Sequence, residues 1–182
     1  MSIEVIGSLA AGILASSFAL IAFGADSLVE IMSAIVVLRH LRLDSAGSRL
    51  LGERTALFTS FLLMAIVPLL GVGSTYSFFV LRIQPEASLI GIAIASGAIL
   101  IMPYLWVKKK RIGQDTGCLP LTIDAIESAT CFLMSAALLT GLALEYIFRI
   151  GWFDYLATIV ILAFVAFEAK ESFAEARAPP QN

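Results

Sequence analysis

Two long stretches without a charged side chain constrain this chain more than any other feature. They are Thr55–Leu81 and Ala87–Val107. At a rise of about 1.5 Å per residue, each stretch is long enough as a helix to cross the hydrocarbon core of a bilayer. The composition agrees, because 59% of the residues are hydrophobic, the mean hydropathy is +0.94 and only 14% are charged. The chain is therefore predicted to be an integral membrane protein.

Six hydrophobic segments divide the chain. They predict an all-α six-helix transmembrane bundle over residues 1–173, followed by a short cytoplasmic tail over residues 174–182. The predicted helices cover residues 2–15, 17–39, 55–81, 87–107, 119–148 and 153–173. The first segment would be roughly 22 Å long against a core of about 30 Å. Helix one is therefore expected to be short or truncated at its N-terminus.

The distribution of Lys and Arg predicts the orientation of this bundle. Of the 12 Lys and Arg residues, only Arg82 and Arg149 flank the third and fifth connections, and the others lie near the second and fourth connections or the C-terminal end. Since cytoplasmic loops carry the excess of positive charge, both termini are predicted to be cytoplasmic. The run Lys108–Arg111 follows an apolar helix, so it is interpreted as a membrane-surface anchor, and no nucleic-acid partner is expected.

Acidic side chains lie inside two of the predicted helices. Asp26 and Glu30 are four positions apart on helix two, about 40° apart on one face. Glu127 and Cys131 have the same spacing on helix five, with Asp124 three positions before Glu127. A charged group at the bilayer centre costs roughly 2.5–3.5 kcal/mol on insertion scales, and such groups usually mark functional sites. These five residues are the candidate site.

The position of the first turn decides whether the two acidic faces can meet. A turn at Ser16 and Ser17 places Asp26 and Glu30 near the middle of helix two, at the depth of Glu127 and Cys131. A turn at Gly24 would separate the two pairs by most of the bilayer. The convergence favours the earlier turn.

Several facing carboxylates need a positive counter-charge. Burial and mutual repulsion both disfavour their ionised forms, and the sequence places no Lys or Arg to pair with them. The counter-charge is therefore expected to come from outside the protein, as a metal ion, or as protons when the metal leaves. A thiol among the oxygens favours Zn²⁺, Fe²⁺ or Co²⁺ over Mg²⁺ or Ca²⁺.

These segments resemble the cation diffusion facilitator family of divalent metal transporters. "SSFALIAFGADSLVEIMSA" is similar to the family's second transmembrane helix, with Asp26 and Glu30 at the positions of its D-x-x-x-D metal pair. "TIDAIESATCFLMSAALLTGLALEYIFRIGWFDYLATIVI" is similar to helices five and six, with Glu127 and Cys131 at the second metal pair. Asp124 matches an acid often found one turn earlier. The resemblance covers helices one, two, five and six and is faint over three and four.

The resemblance implies a function. A protein of this family would export a divalent cation from the cytoplasm by alternating access in exchange for protons, as a multi-pass protein of the cell membrane (the cytoplasmic membrane in a bacterium). The expected cargo is zinc, with iron, cobalt or manganese as alternatives, and no tightly bound cofactor is expected.

The sequence also departs from the usual family pattern. His40 is the only histidine, so the usual histidine-rich loop is missing, and the family's cytoplasmic C-terminal domain is absent from these 182 residues. Homodimers of the family are often held together by that domain, so a dimer of this chain is expected to form through transmembrane helices. The pattern resembles a small bacterial subgroup with "DALET-x-TC"-like fifth helices.

Two other classes of function stay open on the sequence alone. A membrane protein that binds metal as a sensor or assembly partner would bind the cation without moving it. An intramembrane aspartyl protease would use paired acids, but the chain has no Gly-x-Gly-Asp motif. It also has no nucleotide-binding loop. The chain is therefore predicted to be neither an enzyme nor an ATP-driven pump.

Overall fold

Over the residues that it describes, the computed structural model is an all-α bundle of six helices, which confirms the predicted fold class. It describes the backbone of residues 2–40, 45–86, 88–116 and 119–177. Side chains are described for these residues apart from 33, 36–40, 45–59, 116, 119–120, 122–124, 126, 171–172 and 174–177. The helices are α1 (Ser2–Ala15), α2 (Phe18–His40), α3 (Ser45–Tyr76, continued by a π-helical turn over Ser77–Leu81), α4 (Leu89–Thr116), α5 (Leu119–Phe148) and α6 (Trp152–Arg177).

Two helices extend beyond their apolar segments. The helix α3 begins at Ser45 rather than at residue 55, and α4 continues to Thr116 rather than ending at residue 107. Hydropathy marks the part of a helix that suits lipid, whereas the hydrogen-bonded helix continues until the backbone turns. The basic run Lys108–Arg111 is consequently helical, and its successive side chains point in different directions around α4.

Three helical segments end at a residue in the left-handed conformation. Ser16, Arg82 and Arg149 have φ values of 54°, 50° and 55°, after α1, the π-helical turn and α5. The amide of Ser17 donates to the carbonyl of Gly12 at 2.9 Å, which closes the end of α1. The chain thus turns at Ser16 and Ser17, the position that the depth argument favours.

Close packing of α1 against α2 depends on glycine. A Cβ atom added to Gly12 would lie 2.9 Å from the backbone nitrogen of Ile21, and one added to Gly24 would lie 3.1 Å from that of Leu9. Small residues of this kind let membrane helices approach closely. Gly24 is therefore a contact inside α2 and not a turn.

The second helix occupies the centre of the bundle. It packs against α1, α3, α5 and α6, while α4 packs against α5 and α1. Its residues Leu20 and Phe23 are fully buried, together with Met134 and Leu138 of α5 and Ile161 of α6. Acidic residues on α2 and α5 are therefore placed inside the bundle.

The outer surface of the bundle suits a lipid environment. Within the described residues, four helices are long and apolar enough to cross a membrane, over Ser60–Leu81, Leu89–Asp115, Glu127–Phe148 and Trp152–Lys170, and α1 is a shorter apolar helix. Large apolar side chains such as Phe61 (73% exposed) and Leu100 (78% exposed) face outwards. Such a surface would promote aggregation in water, but it is the normal lipid-facing surface of a membrane protein.

Candidate metal site

Packing of α2 against α5 buries most of the predicted site. Asp26 and Glu30 are each only 4% exposed, and Cys131 is 1% exposed. Glu127 is half-buried on the same side of α5. The i, i+4 spacing on each helix is what turns both members of a pair to the same side.

The described acids interact with one another across the helix contact. The carboxylate of Asp26 experiences the charges of Glu30 and Glu127. The thiol of Cys131 experiences the charges of Glu30 and Asp26. The structure therefore brings Asp26, Glu30, Glu127 and Cys131 into one electrostatic cluster, called the acidic cluster below.

Asp26 has the arrangement expected of an oxygen that can bind a cation. Its Oδ1 atom is buried and accepts no hydrogen bond from any described residue. The buried hydroxyls of Ser27 and Ser8 also have no hydrogen-bond partner within the described part of the chain. Buried polar atoms are normally satisfied, so the unpartnered oxygen of Asp26 calls for a further partner. A hard or borderline cation fits a carboxylate oxygen.

The cluster is not a finished coordination shell. Among the described side chains, no group of three or more His, Cys, Asp or Glu residues is arranged to hold a metal ion. The side chain of Asp124 lies outside the described residues, so its predicted part in the site stays a prediction. Repulsion between carboxylates opposes a tight arrangement until a cation neutralises them.

Another buried acid, Glu4, lies near the acidic cluster and was not among the predicted site residues. Glu4 on α1 is 8% exposed, and its charge acts on Cys131. It also lines a cavity of about 590 Å³ between α1 and α4, whose other lining residues are apolar. In the sequence, Glu4 could have been noticed as a lone acid near the start of an apolar helix. Only the fold shows that α1 brings this acid close enough to α5 for its charge to act on Cys131.

The expectation that no Lys or Arg would pair with the acids is wrong for Glu30. The Nζ atom of Lys109 lies 4.0 Å from Glu30 Oε1. It donates a 2.8 Å hydrogen bond to the hydroxyl of Ser128, which lies 3.2 Å from the same Glu30 oxygen. This contact forms because α4 continues past residue 107 and carries Lys109 alongside α5.

Two acids at the opposite end of the bundle, Asp154 and Glu145, are also buried. Asp154 is fully buried and, although it lies on α6, it caps the start of α2. It accepts hydrogen bonds from the hydroxyl of Ser17 at 2.5 Å and the amide of Phe18 at 3.0 Å. Glu145 is 3% exposed, and no described residue hydrogen-bonds to its carboxylate. The Asp154 cap fixes the beginning of the helix that carries Asp26 and Glu30.

Comparison with known families decides what kind of protein this bundle is. A family model described as the cation efflux transmembrane domain matches residues 53–178. The chain belongs to the cation efflux family. It is therefore a multi-pass membrane protein of a metal-cation transporter family, and the predicted membership of the cation diffusion facilitators is confirmed. A comparison with curated protein sequences finds no significant match.

The family match and the sequence resemblance overlap over α5 and α6 and differ over the other helices. The match includes α4, α5 and α6 completely and α3 from residue 53 onwards, so it contains Glu127 and Cys131. It begins after Asp26 and Glu30, so it does not test the metal pair on α2. The family and the transport of a metal cation are established, and the individual ligands stay a prediction.

Proposed function

We propose that this cation efflux protein exports a divalent transition-metal ion, with zinc as the expected cargo, in exchange for protons. Asp26, Glu30, Glu127 and Cys131 would bind the ion between α2 and α5, with Asp124 as a fifth candidate ligand. Alternating access would open this site first to the cytoplasm and then to the opposite side. The termini would lie in the cytoplasm, and two chains would associate through transmembrane helices in the cell membrane.

One observation carries the proposal. Carboxylates from two packed helices are buried together inside an apolar bundle, and Asp26 keeps a buried oxygen to which no described residue donates a hydrogen bond. Ionised carboxylates in such a place are costly. Binding of a divalent cation would relieve this cost, and the cargo thus acts as the counter-charge.

Proton exchange follows from the same chemistry. Carboxylates and a thiol bind metal in their deprotonated forms, so protons and the metal compete for the same atoms. Protonation of the emptied site would lower its net negative charge before the site opens again to the cytoplasm. A proton gradient directed into the cell would therefore drive export.

The experiment compares metal flux in proteoliposomes for the wild-type chain and the Asp26→Asn variant. Zn²⁺, Fe²⁺, Co²⁺ and Mn²⁺ are tested separately with and without an imposed pH gradient. Asp115→Asn is the matched control, because Asp115 is an exposed acid near the end of α4. We expect flux that depends on the gradient in the wild-type and control proteins, and a loss of at least about 100-fold in Asp26→Asn. Unchanged flux in Asp26→Asn would refute the site.

The sensor or assembly-partner function makes a different prediction in the same assay. Folded wild-type protein would then bind one of the four metals without moving it across the membrane. The association of two chains is tested separately by the mass of the protein–detergent complex, where a monomer at all protein concentrations would contradict the proposed dimer.

A further inference from the structure

Three consecutive lysines on α4 have two kinds of environment. The ammonium of Lys108 lies 5.7 Å from the ring centre of Tyr104, and that of Lys110 lies 5.5 Å from the ring centre of Trp106. Both lysines are exposed, and they fit the predicted role of anchors at the membrane surface. Lys109 lies between them in sequence but is only 17% exposed.

Lys109 points into the bundle because successive helical residues are about 100° apart. Its ammonium donates to Ser128 on α5 and lies 4.0 Å from the carboxylate of Glu30 on α2. Ser128 is itself fully buried and is within hydrogen-bond distance of the same Glu30 oxygen. Three helices therefore combine to hold a positive charge at the edge of the acidic cluster.

We propose that Lys109 is a built-in counter-ion of the transport site, which pairs with Glu30 when no cargo is bound and withdraws when the metal ion arrives. The inference rests on the proposed function, since it assumes that Glu30 faces the cargo. It assigns a transport role to a basic run that the sequence alone assigns to the membrane surface.

Charge balance explains why such a residue would be useful. The carboxylates of Asp26, Glu30 and Glu127 would carry three negative charges when ionised, and the ammonium of Lys109 would neutralise part of this charge while the site holds no metal ion. The ammonium and the metal ion repel each other, so they compete for Glu30. Lys109 should thus weaken metal binding and speed release of the cargo, as a transporter requires.

The test measures the dissociation constants of Zn²⁺ and Co²⁺ in detergent at one fixed pH. Lys109→Gln removes the charge, Lys109→Arg keeps it, and Lys108→Gln and Lys110→Gln are matched controls from the same helical turn. We expect Lys109→Gln to bind metal about tenfold more tightly, which is within the range that a unit charge at this distance produces. The other three variants should stay within about threefold of the wild type by the same reasoning.

A second measurement uses the unaltered protein and so does not depend on the folding of a variant. Amine-reactive labelling of each lysine is followed by mass spectrometry with and without Zn²⁺. Metal should accelerate labelling of Lys109, because its ammonium leaves Glu30, and should leave the rates at Lys108 and Lys110 unchanged. The apo protein provides a further readout, since Lys109→Gln should melt at a lower temperature than Lys108→Gln without metal.

The outcomes separate this inference from the proposed function. Metal affinity that is unchanged or weaker in folded Lys109→Gln would overturn the counter-ion role, while metal binding by the wild type would still support the site. Equal labelling of Lys109 with and without bound Zn²⁺ would also overturn it. If the wild type binds neither metal, the proposed function fails for these ions and the inference fails with it.

Discussion

Replacement of Asp154 by alanine should destabilise the start of α2, although the substituted residue lies on α6. The carboxylate of Asp154 accepts hydrogen bonds from the hydroxyl of Ser17 and from the amides of Phe18 and Ala19, at 2.5, 3.0 and 3.5 Å. Ser17 in turn accepts a 3.1 Å hydrogen bond from the amide of Leu20. A negative charge in this position also interacts favourably with the helix dipole.

The magnitude follows from these contacts. Loss of an N-terminal cap costs about 0.5–2 kcal/mol, and a hydrogen bond to a charged group contributes about 1.5–3 kcal/mol. Because Ser17 keeps its own bond to α2, we expect Asp154→Ala to lower the free energy of unfolding by about 3 kcal/mol. Asp154→Asn keeps an acceptor oxygen but loses the charge, so we expect about 1 kcal/mol.

The assay is thermal unfolding of purified protein in detergent without metal. At roughly 2–4 °C per kcal/mol for a chain of this size, Asp154→Ala should lower the melting temperature by about 6–12 °C, and Asp154→Asn by about 2–4 °C. Asp115→Ala, at an exposed position of α4, should change it by less than about 2 °C. Melting of Asp154→Ala within about 2 °C of the wild type would refute the capping role.

A double-mutant cycle tests whether the effect passes through Ser17. Ser17→Ala should cost about 1 kcal/mol alone, and adding it to Asp154→Ala should cost less than that, because the shared hydrogen bond is already lost. Strict additivity of the two substitutions would show that they act independently, contrary to the observed contact.

Three further predictions concern packing, metal preference and a buried acid. Gly12→Ala should destabilise the bundle by about 1–3 kcal/mol, since its Cβ would crowd the backbone of α2, whereas Gly97→Ala has no heavy atom within 4 Å of its Cβ and should be neutral or stabilising in the same melting assay. Cys131→Ser should lower the preference for Zn²⁺ over Mn²⁺ by about tenfold or more, because a hydroxyl is a harder ligand than a thiolate, and competition binding would detect this. Glu145→Gln should raise the melting temperature by a few degrees, because a neutral amide replaces a buried carboxyl group that must stay protonated or carry an unpaired charge beside Asp154; a lower melting temperature would show that the carboxyl group is needed.

The fold could be predicted from the sequence because the relevant signals are local. Apolar segments of this length form helices in lipid. A short turn at Ser16 and Ser17 places the acids of helices two and five at the same depth in the membrane. The predicted helix ends were less accurate, since apolar stretches do not mark where α3 begins or where α4 ends. The extra turns lie in the polar ends of these helices, where hydropathy carries no information about hydrogen bonding.

The pairs of residues within the candidate site could also be predicted, because they follow from spacing along one helix. Contacts between helices that are distant in sequence could not be predicted in this way. Ser17 and Asp154, or Glu30 and Lys109, are brought together only by the packing order of the bundle. The spacing of residues along one helix does not predict which residue of another helix each of them contacts.

The different environment of Lys109 has a signal in the sequence. Three lysines in a row on one helix point in different directions, since each is rotated by about 100° from the last. Tyr104 and Trp106 lie four residues before Lys108 and Lys110, a spacing that places each aromatic ring beside its lysine. The position before Lys109 in the same register is Leu105, which is half-buried and packs against the core. The aromatic pattern thus assigns two lysines to the surface and leaves the middle one to face the bundle, where it contacts Ser128 of α5 and Glu30 of α2.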